Sequence, residues 1–186
     1  MRYTITGVGL DGSERTVVVD ADDEIEALSL GHEQGIVRPT AIRVRKSFTA
    51  TKAWAGEDYW VFYAGVSEPD STDELGVESH YELSFGRGVE KDEIKEIDPE
   101  WSQEIKLSYR QGEEPYVSGD ECVAASRLER DKLEVDLSRP LGEGVEIGGF
   151  DISLNLDDSS YTNLRDGLRW IFQHRAGVLT LGEWGT

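Results

Sequence analysis

The clearest pattern in the chain is a change of hydrophobic period near Asp157. Before this residue, apolar and polar residues alternate over 133–137 and over 150–156, as they do in strands that bury one face. After it, apolar residues recur at helical spacing and form one stripe: Tyr161, Leu164, Leu168, Ile171 and Phe172. The change of period predicts an antiparallel sheet that is covered by a helix over residues 160–174.

Residues 1–46 have the pattern of a separate small module. Two alternating segments flank a strong turn signal at Asp11-Gly12, which predicts a hairpin. A helix that ends at Gly35 and a strand over 41–45 are expected to follow. The resulting order, ββαβ, resembles the small N-terminal cap of the inner-membrane platform proteins of type II secretion and type IV pili.

Residues 47–57 are small and polar apart from two aromatic residues, and are predicted to be a linker. We expect its Trp54 to pack against one of the modules rather than to bind a ligand. The predicted fold class is α+β: a ββαβ module at 1–46, the linker, and a larger antiparallel sheet covered by one C-terminal helix at 58–186.

The charge distribution narrows the choice of partners. The formal net charge is −19, and residues 48–186 carry 30 acids and 13 bases, whereas residues 1–47 carry 8 and 6. The window 66–104 alone has 13 acids and 3 bases. Such a balance argues against nucleic acid and anionic membranes, both of which attract cationic surfaces. It favours a basic protein partner or a high-salt habitat, and the clustering of the acids favours the partner.

The cysteine content and the N-terminal sequence indicate where the protein is found. Cys122 is the only cysteine, which excludes an internal disulfide or a thiolate cluster, and we expect it to be a small buried residue. No apolar run approaches the ~20 residues of a membrane span. Because the first residues also lack the apolar core of a secretory signal, we expect a cytoplasmic protein.

Residues that carry catalysis or bind metals do not group along the chain. The three histidines lie in different predicted elements, and none has a second histidine at metal-ligand spacing. Neither a G-x-S-x-G motif nor a phosphate-binding glycine loop occurs. We therefore predict no enzymatic activity, no cofactor and no metal; a hydrolase with an unrecognised carboxylate site is a less favoured alternative.

The second part of the chain resembles a known family. Over residues 58–175, its short strands and closing helix are similar to one of the immunity-protein families of bacterial polymorphic-toxin systems, the tenth in the usual series. The segments that carry this resemblance are 81–85, 105–107, 123–128, 133–137, 152–156 and the Tyr-x-x-Leu helix that begins at Tyr161. All of these are core positions, so the resemblance implies a fold and transfers no binding residue.

Charge and resemblance together predict a non-enzymatic protein-binding module, an immunity protein that neutralises a cognate basic toxin. The alternative is an acidic scaffold or interaction protein of a salt-adapted or marine bacterium, whose acids serve solvation. For the first reading, the predicted partner-binding residues are four acids of the most acidic stretch: Asp92, Glu93, Glu96 and Asp98. The sequence leaves the oligomeric state open.

Overall fold

The structure is a computed structural model that describes residues 1–68, 71–72, 78–89, 104–112, 114–141 and 146–182. Within these ranges the chain is mostly β-sheet, with two helices. The elements, in chain order, are β1 (Arg2–Gly9), β2 (Glu14–Asp20), α1 (Glu24–Glu33), β3 (Ile36–Ala50), β4 (Lys52–Asp58), β5 (Val61–Ser67), β6 (Ser71–Thr72), β7 (Glu78–Ser79), β8 (Tyr81–Gly88), β9 (Ile105–Gln111), β10 (Val117–Asp120), β11 (Val123–Leu128), β12 (Lys132–Leu137), β13 (Ile147–Leu154), α2 (Asp158–Phe172) and β14 (Leu179–Leu181).

The strands form two main sheets. A seven-stranded sheet has the order β14-β11-β12-β13-β3-β1-β2, and a five-stranded sheet has the order β10-β9-β8-β5-β4. The five-stranded sheet is antiparallel throughout, whereas β13 pairs with β3, and β11 with β14, in parallel. The predicted α+β class is confirmed at this level. The strands that were predicted to form one larger antiparallel sheet are instead divided between two sheets.

One face of the seven-stranded sheet carries two hydrophobic cores. At its β1–β2 end, α1 covers a small core that contains Tyr3 and Ile5. Over the remaining strands, the five-stranded sheet packs face to face, and the ring centroids of Tyr109 and Phe150 lie 5.1 Å apart. The alternating apolar residues of β12 and β13 are buried as predicted, and so is Cys122.

The predicted C-terminal helix is α2, and its apolar stripe is buried as expected. It begins at an Asp157 cap, whose Oδ1 accepts the backbone N–H of Ser160 at 2.7 Å. The sheet it covers differs from the prediction, because its main neighbours are β4, β5 and β8 rather than the strands that precede it in sequence. At its C-terminal end, Arg87 Nη1 donates to the carbonyl oxygens of Trp170 and Ile171 at 3.1 and 3.0 Å, where a cation is favourable to the helix dipole.

The prediction of a linker over residues 47–57 is wrong, because this stretch belongs to β3 and β4. Phe48 and Ala50 are buried, while Ser47 and Thr49 are exposed, so the small polar residues are one face of a strand. Strand β3 crosses the predicted module boundary and pairs with both β1 and β13. The division of the chain into two folding units at this boundary stays a prediction.

A buried arginine joins the strands on either side of that boundary. The side chain of Arg45 on β3 is 2% exposed and crosses Gly149 of β13, which has no side chain to obstruct it. Its Nε donates to Asp151 Oδ2 at 2.7 Å and its Nη1 to Asp136 Oδ1 at 2.5 Å. Burial opposes the charge, but the hydrogen bonds and charges of the two carboxylates raise the pKa of Arg45 above its ordinary value. The interaction is therefore a permanent ion-pair network on the outer face of the seven-stranded sheet.

Candidate functional site

The outer face of the five-stranded sheet, opposite the core, carries the most site-like arrangement of side chains. Alternation along β8 directs Leu83 and Phe85 into the core and therefore turns Glu82, Ser84 and Gly86 outward. An open cavity of about 520 Å³ lies on this outer face. We call it the aromatic groove and define it by six of its lining residues: Trp54, Tyr63, Glu82, Ser84, Ser108 and Tyr116.

The floor of the aromatic groove is a row of small residues on neighbouring strands. Gly65 of β5 pairs with Ser84 of β8, which pairs with Ser108 of β9, which pairs with Ser118 of β10. Directly paired residues stand side by side on one face of a sheet. The row therefore leaves a trough across the strands, with hydroxyl groups at its base.

Two aromatic rings lie against glycines of adjacent strands and form walls. A Cβ atom built on Gly65 would lie 2.6 Å from Cζ2 of Trp54, and one built on Gly86 would lie 3.0 Å from Cε1 of Tyr63. Both rings are half-buried by this contact with the backbone. Because any larger residue at either glycine would displace the ring, the two glycines hold the aromatic walls in place.

Beside Gly56 the wall has a gap. Trp54, Gly56 and Asp58 follow one another on the outer face of β4, and Tyr63 of β5 pairs directly with Gly56. All four residues line the groove, and a Cβ atom built on Gly56 would meet nothing within 4 Å. We call this space the Gly56 notch; it is bounded by Trp54, Tyr63 and Asp58.

The far end of the groove holds a fixed carboxylate. Glu82 Oε1 accepts the hydroxyl of Tyr116 at 2.8 Å, and Arg110 Nη2 donates to Glu82 Oε2 at 3.3 Å. His80 Nε2 lies 3.6 Å from the same oxygen. Partial burial and the hydrogen bond to Glu82 raise the pKa of Tyr116, so its hydroxyl stays a donor. The carboxylate is thus held at the groove by three neighbouring side chains.

Three aromatic side chains of the described residues are exposed, at the turn between β4 and β5 and at the end of the groove. The turn between β4 and β5 presents Tyr59 and Trp60, which are 81% and 41% exposed, and Tyr116 is 48% exposed. Tyr59 has a φ of 52°, a left-handed conformation that is uncommon for a bulky residue. Large aromatic side chains are enriched at protein interfaces.

Other groups of polar side chains in the described part of the chain are less suited to binding a ligand or partner. A polar recess of about 630 Å³ lies along the first turns of α2, but its two acids, Asp158 and Asp166, already pair with Arg130 and Arg165. Over the described residues, no three His, Cys, Asp or Glu side chains are grouped to hold a metal ion. Neither helix of the described ranges is long and apolar enough to cross a membrane.

The structure describes some of the residues predicted from the sequence to be functional and not others. The four predicted partner-binding acids, Asp92, Glu93, Glu96 and Asp98, lie outside the described residues, in the stretch between β8 and β9. Trp54 packs against a sheet as expected, but it also lines the groove, which sequence reasoning missed. The sequence does contain one sign of the groove, namely small residues at the outward positions of three predicted strands. Only the pairing register places them in one row.

Comparison of the chain with models of known protein families, with curated protein sequences and with solved structures gave no match in any of the three. The two resemblances described from the sequence, to an immunity-protein family and to the cap of secretion platform proteins, stay predictions. The aromatic groove is therefore the feature of this protein whose geometry and chemistry bear on its function.

Proposed function

We propose that this protein is a non-enzymatic protein-binding module, an immunity protein that neutralises a basic bacterial toxin, and that the aromatic groove forms part of its binding surface. The observation that carries the proposal is that Trp and Tyr side chains line one open groove together with carboxylates. Tyr and Trp are enriched at the centres of protein interfaces and contribute a large share of their binding energy.

The acids around the groove favour a basic partner. Glu57 and Asp58 line the β4 side and Glu82 lies at the far end. The surrounding chain, residues 48–186, has a net charge of −17 from its 30 acids and 13 bases. Complementary potentials speed association and exclude partners of like charge.

The rigidity of the groove supports binding rather than packing alone. The rings of Trp54 and Tyr63 already lie against Gly65 and Gly86 in the free protein. A side chain that is held in place before binding loses little conformational entropy when the partner arrives. Such preformed aromatic anchors are what a tight inhibitor of a toxin needs.

Capture of partners from the source cell, followed by inhibition assays, tests the function. We expect the immobilised protein to retain a basic toxin domain whose activity is abolished at a 1:1 ratio, which is the stoichiometry of an occluding inhibitor. The Trp54→Ala variant should weaken this binding at least tenfold, and the control Leu10→Ala, at an exposed turn of the other sheet, should not. A partner that is retained without loss of its activity would reject the immunity function. Equal affinities for both variants would reject the groove.

The four predicted acids are tested through association kinetics. Replacing Asp92, Glu93, Glu96 and Asp98 by Asn or Gln should slow association and flatten its salt dependence, because peripheral charges act mainly on encounter. A matched control neutralises four exposed acids of the N-terminal region: Glu14, Asp20, Asp22 and Glu33. If acidity serves only solvation, both quadruple variants should associate at the wild-type rate.

A further inference from the structure

The Gly56 notch has the chemistry of a site for one planar cation. Its walls are the rings of Trp54 and Tyr63, and its outer end is the carboxylate of Asp58. Asp58 is exposed and makes no ion pair with any described residue. An aromatic face next to a carboxylate attracts a cation by two mechanisms at once, cation–π attraction and charge pairing.

The protein already binds guanidinium groups of its own in this manner. At the far end of the same groove, the Arg110 guanidinium lies 4.9 Å from the ring centroid of Tyr116 and donates to Glu82. Elsewhere, the Arg130 guanidinium lies 5.0 Å from the ring centroid of Tyr161 and donates to Asp158 at 2.9 Å. The notch repeats this combination of ring and carboxylate, but no arginine of the described chain fills it.

We infer that the Gly56 notch binds an arginine side chain of the protein partner, with its guanidinium stacked on the aromatic walls and paired with Asp58. The inference rests on the proposed function, to which it adds the chemistry of the bound group. Arginine fits better than lysine because its planar guanidinium can stack on a ring while it donates sideways to a carboxylate. Lysine presents a compact, strongly hydrated charge that does neither as well.

Titration of the full chain with a short peptide tests the notch without any partner. The probe is acetyl-Gly-Arg-Gly-amide, followed through the indole N–H signal of Trp54 and the backbone amides of Gly56 and Asp58 in NMR spectra. Two matched peptides replace arginine by lysine or by citrulline, which keeps the shape of arginine without its charge. We expect saturable shifts at millimolar concentrations, at least threefold tighter for arginine than for lysine, and none for citrulline.

Two variants of the chain localise the binding. Gly56→Val should abolish the shifts by filling the notch; it should not unfold the protein, because the position is exposed and valine favours strands. Asp58→Asn should weaken binding of the arginine peptide severalfold, because it removes the charge pairing and leaves only the cation–π attraction. The control Asp20→Asn, on an exposed strand of the other sheet, should bind as wild type does.

Several outcomes would overturn the inference. The inference is wrong if the citrulline peptide or the lysine peptide binds as tightly as the arginine peptide. It is also wrong if the shifted signals lie away from the notch, or if the Gly56→Val variant binds the arginine peptide as wild type does. Failure of the proposed function gives a different result. If Gly56→Val leaves partner affinity unchanged while Trp54→Ala weakens it, the arginine site is wrong and the binding surface stands. If neither variant affects the partner, the proposed binding surface is wrong, and so is the assignment of a partner arginine to the notch, even if the peptide still binds there.

Discussion

Adding one methyl group at Gly167 should destabilise this protein, although the same change stabilises most helices. Gly167 lies within α2, where propensity alone favours alanine over glycine by about 1 kcal/mol. An alanine Cβ there would lie 2.6 Å from the Cβ of Ala55 and 2.9 Å from the Cβ of Ala64. Since carbon atoms pack at about 3.5–4.0 Å, α2 and the β4–β5 hairpin would have to separate by roughly 1 Å.

The magnitude follows from which atoms can move. The Cβ atoms of Ala55 and Ala64 are fixed to strand backbone, so neither can rotate away from the new methyl group. Overpacking of this kind costs about 1–3 kcal/mol, and a rigid neighbour on each side places Gly167→Ala at the upper end. After the gain in propensity, the net loss is about 2 kcal/mol, which lowers the melting temperature of a chain of this size by roughly 4–8 °C.

Thermal and urea unfolding, followed by circular dichroism, measure the effect. Gly31→Ala is the matched control, because Gly31 is also a buried helical glycine. Its new Cβ would come closer than 3.4 Å only to Cδ1 of Ile5, at 2.8 Å. That atom ends a flexible side chain and can turn aside, so the control should stay within about 1 kcal/mol of wild type. Ala55→Gly combined with Gly167→Ala should restore part of the loss. A Gly167→Ala protein that melts at or above the wild-type temperature would refute the close packing of α2 on the hairpin.

Three further predictions concern the core and the predicted module boundary. Arg45→Met should lower the free energy of unfolding by about 3 kcal/mol in urea, because it removes the buried cation between Asp151 and Asp136 and leaves Asp151 paired with Arg2 alone. Arg45→Lys should not restore the loss, and a change below about 1 kcal/mol would contradict the network. Burial raises the pKa of Cys122 to about 11, so we expect its thiol to stay protonated at pH 8 and to react with a thiol reagent only after unfolding in urea. Rapid reaction of the native protein would show that the thiol is accessible. Residues 48–186 should fold without residues 1–46. Their melting temperature should be lower than that of the full chain, because β13 loses most of its pairing with β3. Loss of cooperative unfolding would show that the two parts share one folding unit.

The sequence by itself determined the individual elements of this fold. Alternation at Leu133 to Leu137 and the stripe from Tyr161 to Phe172 identified a strand and a helix, because side-chain direction repeats every two or 3.6 residues within a single element. The Asp11-Gly12 turn followed from equally local chemistry. The residues that proved to be buried were therefore largely predictable.

Only the tertiary structure decided how these elements combine. Ser47 and Thr49 have the composition of a linker, and their place in a strand depends on the pairing of β3 with β13, about a hundred residues away in sequence. The groove depends on the same kind of information, since Gly65, Ser84 and Ser108 come from three strands that only their register aligns. Periodicity indicates which side of an element is buried, but it does not indicate which strand pairs with it. Pairing is set by the fit of distant surfaces, and so the functional face arises only when the sheets assemble.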